Sequence, residues 1–230
     1  MALAGFVGKG SLWDGLNELF QLYRELDSAI AKFSEKTGVA CPVGCRTCCD
    51  TPATKIEATI FELLPQAIIS CLEGRAEYWL DRITRAEEDP EARCVFLDFN
   101  LPQGGCSIYQ CRPLLCRLFG FAAILDKAGR PLPLICREMK KANPQVGCHA
   151  EKLISDGVVE VPISTYYASR IAAINPTHGQ GLLPINEAFR NAIQLAGLYL
   201  SLASGDSGKR PHPDDDNNNS PQTPPFGQSA

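Results

Sequence analysis

The residues with the clearest chemical potential are Cys41-Pro-Val-Gly-Cys45-Arg-Thr-Cys48-Cys49, which hold four of the chain's eleven cysteines within nine positions. Thiolates at this spacing suit a soft metal ion or an iron–sulfur cluster. Four more cysteines, Cys94, Cys106, Cys116 and Cys136, stand at the edges of irregular stretches and are available as further ligands. Adjacent side chains point in different directions on a helix or a strand. Cys48 and Cys49 are therefore expected to face different metals, or only one of them to ligate. That expectation calls for two sites or a polynuclear cluster, completed from downstream. Arg46, Arg93, Arg112, Arg117 and Arg137 each directly neighbour a cysteine, five of the chain's thirteen arginines. A zinc ion or a [4Fe–4S] cluster on four thiolates carries a charge of about −2, which nearby guanidinium groups would offset.

The remaining candidates are weaker. Cys71 lies in the apolar run Ile68-Ile69-Ser70-Cys71-Leu72 and reads as core packing. Cys148 directly precedes His149, and His178 sits in a Pro-Thr-His-Gly turn, so no Cys-His nucleophile is expected. No paired carboxylates, phosphate-cradling loop or nucleotide fingerprint stands out, and Gly179-Gln-Gly181 is too short to count.

Positioning the thiols falls to helices. Leu12, Leu16, Leu19, Phe20, Tyr23, Leu26, Ile30 and Phe33 recur at helical spacing, with Ser11 as N-cap and Gly38 as the stop, delivering the chain to Cys41. Thr54-Lys-Ile-Glu57 has the form of a capping box, and Pro65 should kink or restart the helix that follows. Helices are expected at Gln66–Leu72, Arg75–Glu88, Pro113–Phe119, Ala150–Ile154, Pro162–Ile174 and Pro184 to about Ser204. From Asp89 to Gln110 periodicity is lost, and metal ligation is one tie that would hold so long a loop. Phe121–Leu125 and Leu132–Ile135 flank the turn 126–129 as a hairpin.

The sequence thus predicts a mainly α, small helical domain over residues 1–204, with long irregular loops and a short hairpin, organised around a cysteine-ligated metal centre. From Gly205 the composition shifts to Asp, Asn and Pro runs, the pattern of a disordered tail over 205–230, and His212 within it is not a ligand. The net charge of −4 and pI near 5.5 give no electrostatic footprint for nucleic acid or an anionic membrane. No apolar run reaches the roughly 18 residues of a membrane span, and the first residues lack the pattern of a secretory leader. A cytoplasmic location is expected, where clustered thiols bind metal rather than pair as disulfides; the odd cysteine count agrees.

Taken in order, the Cys41–Cys49 nest, Cys94-Val-Phe-Leu, Cys106-Ser-Ile-Tyr109 and Arg112-Pro113-Leu-Leu-Cys116-Arg117 resemble the CxxCxxCC cysteine-cluster family, a zinc- or iron-chelating domain of the YkgJ type. The resemblance covers roughly Cys41 to Cys136. It implies a metal-binding protein with Cys41, Cys45, Cys48, Cys49, Cys94, Cys106, Cys116 and Cys136 as ligands, and with Tyr109, Arg112 and Arg117 around them. Two departures are present: three residues separate Cys41 from Cys45 where the signature has two, and Cys111 precedes Arg112-Pro113 where the motif needs no cysteine. Cys148 is a spare thiol. The cofactor implied is an iron–sulfur cluster or zinc, serving redox chemistry or cluster-dependent modification of a protein substrate; no catalytic residue is assigned. Alternatives are a structural zinc module in a binding protein or an enzyme similar to flagellin lysine methylases. A third is a radical S-adenosylmethionine enzyme, whose spacing Cys41, Cys45 and Cys48 also match. Against the last, Thr47 replaces the usual aromatic, and the chain reads as helical rather than as a partial (β/α) barrel.

Overall fold

The computed structural model describes residues 11–101 and 105–205, with side chains from 15 to 203. Ser11 as a cap, Leu12 and the tail with His212 therefore lie outside what is described. The first helix, α1 (Ser11–Thr37), follows the apolar spacing and ends where Gly38 adopts φ +73°, its N–H donating to Ser34 O. Leu16, Leu19, Leu22, Tyr23 and Leu26 are buried in one apolar cluster, while Phe33 enters a second. One helix thus spans both cores.

The expected capping box at Thr54 does not form. Ala53–Lys55 is a 3-10 turn, and Ile56, Glu57 and Ala58 alternate buried, exposed, buried, the pattern of a strand. Glu57–Ala58 (β1) is such a strand. The real box sits at Thr59, whose Oγ1 accepts from Glu62 N while Glu62 Oε2 accepts from Thr59 N, opening α2 (Ile60–Leu72). Pro65 neither ends nor restarts α2. The missing bond costs about 3 kcal/mol, but buried Leu63, Leu64, Ala67 and Ile68 on either side hold the helix in the core. Gly74, at φ +66°, separates α2 from α3 (Ala76–Glu87).

The described residues between α3 and the short helix α4 (Leu114–Leu118) are irregular, as expected, apart from a 3-10 turn at Tyr109–Cys111. The hairpin forms from β2 (Ala123–Leu125) and β3 (Pro131–Pro133), antiparallel with Ile124 opposite Leu132. A helix absent from the sequence reading, α5 (Arg137–Ala142), begins directly at Cys136, and α6 (Val146–Ser155) starts early enough to contain Cys148 and His149. α7 (Ser164–Ile174) precedes β4 (Leu183–Pro184), which pairs antiparallel with β1, Ala58 opposite Leu183. The last element is α8 (Ile185–Gly205).

α8 lies along α2 in the most extensive helix contact of the fold. Ala188, Ala192 and Ala196 recur every fourth residue and are buried, so the two backbones approach closely. Trp79, Phe96 and Phe189 close the main core with ring centroids 4.5–5.7 Å apart, joining α3, the Cys94 loop and α8. The second core holds Phe33, Val39, Ala123, Ile135, Met139 and Val146. Helices dominate throughout, so the fold is mainly α. No described helix is long and apolar enough to cross a membrane.

Candidate metal centre

The Cys41–Cys49 nest is built from two successive turns. Gly44 at φ +71° lets Cys45 N reach Pro42 O, and then Cys49 N and Asp50 N both donate to Arg46 O. The second turn overrides the diverging directions that a regular helix or strand would give the adjacent pair. In this tight turn Cys48 Sγ and Cys49 Sγ lie 3.9 Å apart, side by side rather than diverging. With Zn–S bonds near 2.3 Å, a tetrahedral edge is about 3.8 Å. The 3.9 Å separation of these neighbours, which a helix or strand would part, is close to that edge.

The nest is held by Asp50, whose carboxylate pairs with Arg93 at 2.8 Å, beside Cys94. Cys94 is itself fixed by buried Asn186 at the start of α8: its Oδ1 accepts from Val95 N and its Nδ2 donates to Arg93 O. Phe96, two residues on, is locked in the aromatic trio. The long loop is therefore tied by protein groups as well as by any metal. Cys106 faces Leu97 in a β-bridge, where Asp98 N donates to Gly105 O and Ser107 N to Phe96 O. Gly105, at φ +79°, is required there, since a Cβ would stand 2.8 Å from Asp98 O.

Cys116 is carried by α4, which a buried carboxylate anchors. Glu62, only 3% exposed, accepts from Leu114 N, Tyr23 Oη, Thr59 N and Thr59 Oγ1, joining α1, α2 and α4. Arg117, 6% exposed, spends its guanidinium on the carboxylate of Asp27 and on the carbonyls of Arg112 and Gln110, over the ring of Tyr23 at 4.2 Å. Its hydrogen bonds thus go to Asp27 and the backbone, and the sulfur it acts on is Cys111, outside the cavity, instead of the charge of the metal centre that the sequence led one to expect. Gly120 (φ +85°) passes so close to Cys136 and Met139 that a Cβ would meet their side chains at 2.8–3.0 Å.

These elements bring Cys41, Cys45, Cys48, Cys49, Cys94, Cys106 and Cys116 onto the wall of one cavity of about 690 Å³. Cys136 is not in the wall but is near enough to raise the Cys41 pKa electrostatically. Cys111 is half-buried against the main core, Cys148 is exposed on α6, and the Cys71 thiol donates to Ile193 O of α8 at 3.8 Å. None of these three lines the cavity. All eleven cysteines are free thiols.

Charge is distributed unevenly around the sulfurs. A sulfur–sulfur hydrogen bond joins Cys48 and Cys49, and this bond, against the cost of burial and helped by backbone N–H groups and Arg112, lowers Cys48 to about 6. Cys49 is pushed up in return, by that bond, by burial and by the neighbouring sulfurs. Burial and then Cys45 raise Cys41 to about 11, and burial raises Cys94 to about 12. Cys116 and Cys106 also move up, chiefly by burial. Backbone N–H groups of Phe96 and Leu97 oppose this at Cys94, and that of Ile108 at Cys106, so amide donors face both sulfurs.

Of the five arginines beside cysteines, only Arg112 lowers the cavity thiols, acting on Cys48, Cys106 and Cys116. Arg46 stacks on Phe99 and Arg137 pairs with Glu138 in solvent. Arg82 on α3, which nothing in the local sequence marked, reaches Cys94 instead. Asn186 and Glu62 were also missed; the sequence offers no signal for either beyond a polar residue on an apolar helix.

Among the described residues, no three His, Cys, Asp or Glu side chains already converge tightly enough to hold an ion. The donor set nevertheless fits a thiophilic centre: seven sulfurs share one cavity, one pair stands at a coordination edge, and amides face two more. No curated protein and no solved structure matches the chain. Residues 40–149 match the CxxCxxCC family, described as a putative zinc- or iron-chelating domain, a span that runs past Cys136 to take in Cys148 and His149. The cysteine-rich segment of this chain is thus similar to a domain family whose described property is metal chelation.

Proposed function

We propose that the cavity thiols hold an iron–sulfur centre, with Cys136 completing the set. The observation that carries this reading is the gathering of seven cysteines, spread over 76 positions from Cys41 to Cys116, onto one wall. Their electrostatic reach divides them. Cys41, Cys45 and Cys136 interact at the outer side, and Cys49, Cys94, Cys106 and Cys116 at the inner side, with Cys48 reaching both. Sulfurs spaced too widely for one ion favour a cluster, which bridges thiolates lying farther apart.

When bound, a cluster supplies one-electron transfer, and zinc supplies folding free energy or Lewis acidity. In this reading the protein works in a reducing cytoplasm, in redox chemistry or in modification of another protein. Zinc is the second reading, favoured by the 3.9 Å edge between Cys48 and Cys49. The radical S-adenosylmethionine alternative finds no support, since the described strands form only two two-stranded antiparallel sheets.

Anaerobic purification followed by metal and sulfide analysis and visible absorption decides between the two. Iron with labile sulfide and broad visible absorption is expected. A colourless protein with stoichiometric zinc selects the second reading, and a metal-free protein whose fold is indifferent to chelators defeats both.

A further inference from the structure

The cavity is larger than its sulfurs need. At about 690 Å³ it falls within the roughly 300–1,000 Å³ typical of small-molecule pockets. Its four charged wall residues are Asp27, Lys55, Arg112 and Arg117. Asp27 and Arg117 neutralise each other at 2.8 Å, leaving Lys55 and Arg112 as the two cations of the wall without a carboxylate partner among the described residues, Arg112 acting meanwhile on the thiols of Cys48, Cys106 and Cys116. Arg112 is held ready for a ligand. Its Nε donates to Tyr109 O at 3.0 Å and its plane lies 3.6 Å from the centroid of the Tyr109 ring. Stacking fixes the fork without using it: among the described residues neither terminal nitrogen of Arg112 donates to a protein acceptor, and Lys55 has no ion pair. Val43, Leu115 and Phe119, large apolar side chains that are all exposed, line the same cavity.

We propose that this pocket binds a small organic carboxylate with an apolar body. The carboxylate takes the edge formed by the two terminal nitrogens of the Arg112 guanidinium in a bidentate pair, with Lys55 adding charge. The apolar body covers Leu115, Phe119 and Val43, removing them from water. A solvated guanidinium with no ligand would need no aromatic platform to hold its orientation, and three exposed apolar side chains at one cavity are covered at little cost by such a body. The carboxylate pocket rests on the metal reading only for the sulfur wall beside it.

Isothermal titration of the full chain, as purified with its metal, tests this with 4-phenylbutyrate against its neutral amide, 4-phenylbutyramide. The acid is expected to bind about tenfold or more tightly than the amide. Arg112→Gln should bring the acid down to the affinity of the amide in the same variant, and Lys55→Gln should reduce the preference by about threefold. Equal affinities in the wild type, or an undiminished preference in Arg112→Gln, overturn the pocket. Metal content is measured in every sample. Preference for the acid in protein without metal would break the metal reading alone, and metal-loaded protein without preference would break the pocket alone.

Discussion

On one side of α4, Glu62, Tyr23, Arg117 and Asp27 have their polar atoms engaged by one another and by the backbone at Thr59, Gln110, Arg112 and Leu114. On the other side, Cys106 and Cys116 face a cavity whose sulfurs find chiefly one another as partners, Cys48 with Cys49 and Cys41 with Cys45. Both regions bury groups that are costly to leave without partners. The first solves the problem within the chain and is rigid without help. The second leaves its sulfurs facing each other, protonated in the main by burial, so that a bound metal supplies the missing partner. The contrast separates scaffold from site: the polar node sets where Cys116 and Arg112 stand, and the thiols wait on the metal.

The largest effect expected from this contrast is on metal removal. With free metal at about a thousand times its dissociation constant, loading adds about 4 kcal/mol of stability. Urea unfolding with and without chelator measures it, and equal midpoints would show that the cavity needs no partner. Glu62→Ala comes next: it strands Leu114 N and Tyr23 Oη and is expected to cost about 3 kcal/mol even without metal. A loss seen only in the loaded protein would move Glu62 from scaffold to site.

The pH dependence of metal affinity should be smaller. Cys41 at about 11 and Cys94 at about 12 are protonated at neutral pH, so metal must displace their protons, whereas Cys48 at about 6 is already largely thiolate. Proton competition weakens as pH rises. Competition against a chelator should therefore show affinity rising by about tenfold or more from about pH 6.5 to about pH 7.5. A flat profile would mean that the raised thiols do not ligate. Smallest is Cys71→Ala, expected to cost about 1 kcal/mol through lost packing against α8 while metal content stays unchanged. Any fall in metal would put Cys71 in the site.

Much of the fold was legible because its signals are local. Apolar spacing marked α1 and α8, Gly38 marked the end of α1 and Gly74 the break before α3, and the prolines around Leu132 still allowed a hairpin. The failures have a common cause. Thr54-Glu57 and Thr59-Glu62 both carry the capping pattern, and only pairing of Glu57–Ala58 with Leu183–Pro184, over a hundred residues away, selects the second. Pro65 is a helix breaker by local rules, yet burial on both sides keeps it inside α2.

The same division holds at the site. The sequence alone determined that this is a thiol-rich, mainly helical chain and which cysteines stand in irregular segments, because residue type and spacing are written in it directly. It could not decide where side chains point. The turn at Arg46–Asp50 brings Cys48 and Cys49 together, and Arg117 turns to Asp27 while Arg112 turns to the cavity. Neighbours in sequence take opposite roles here because direction is set by the backbone's path and by partners distant in the chain, which only the tertiary structure supplies.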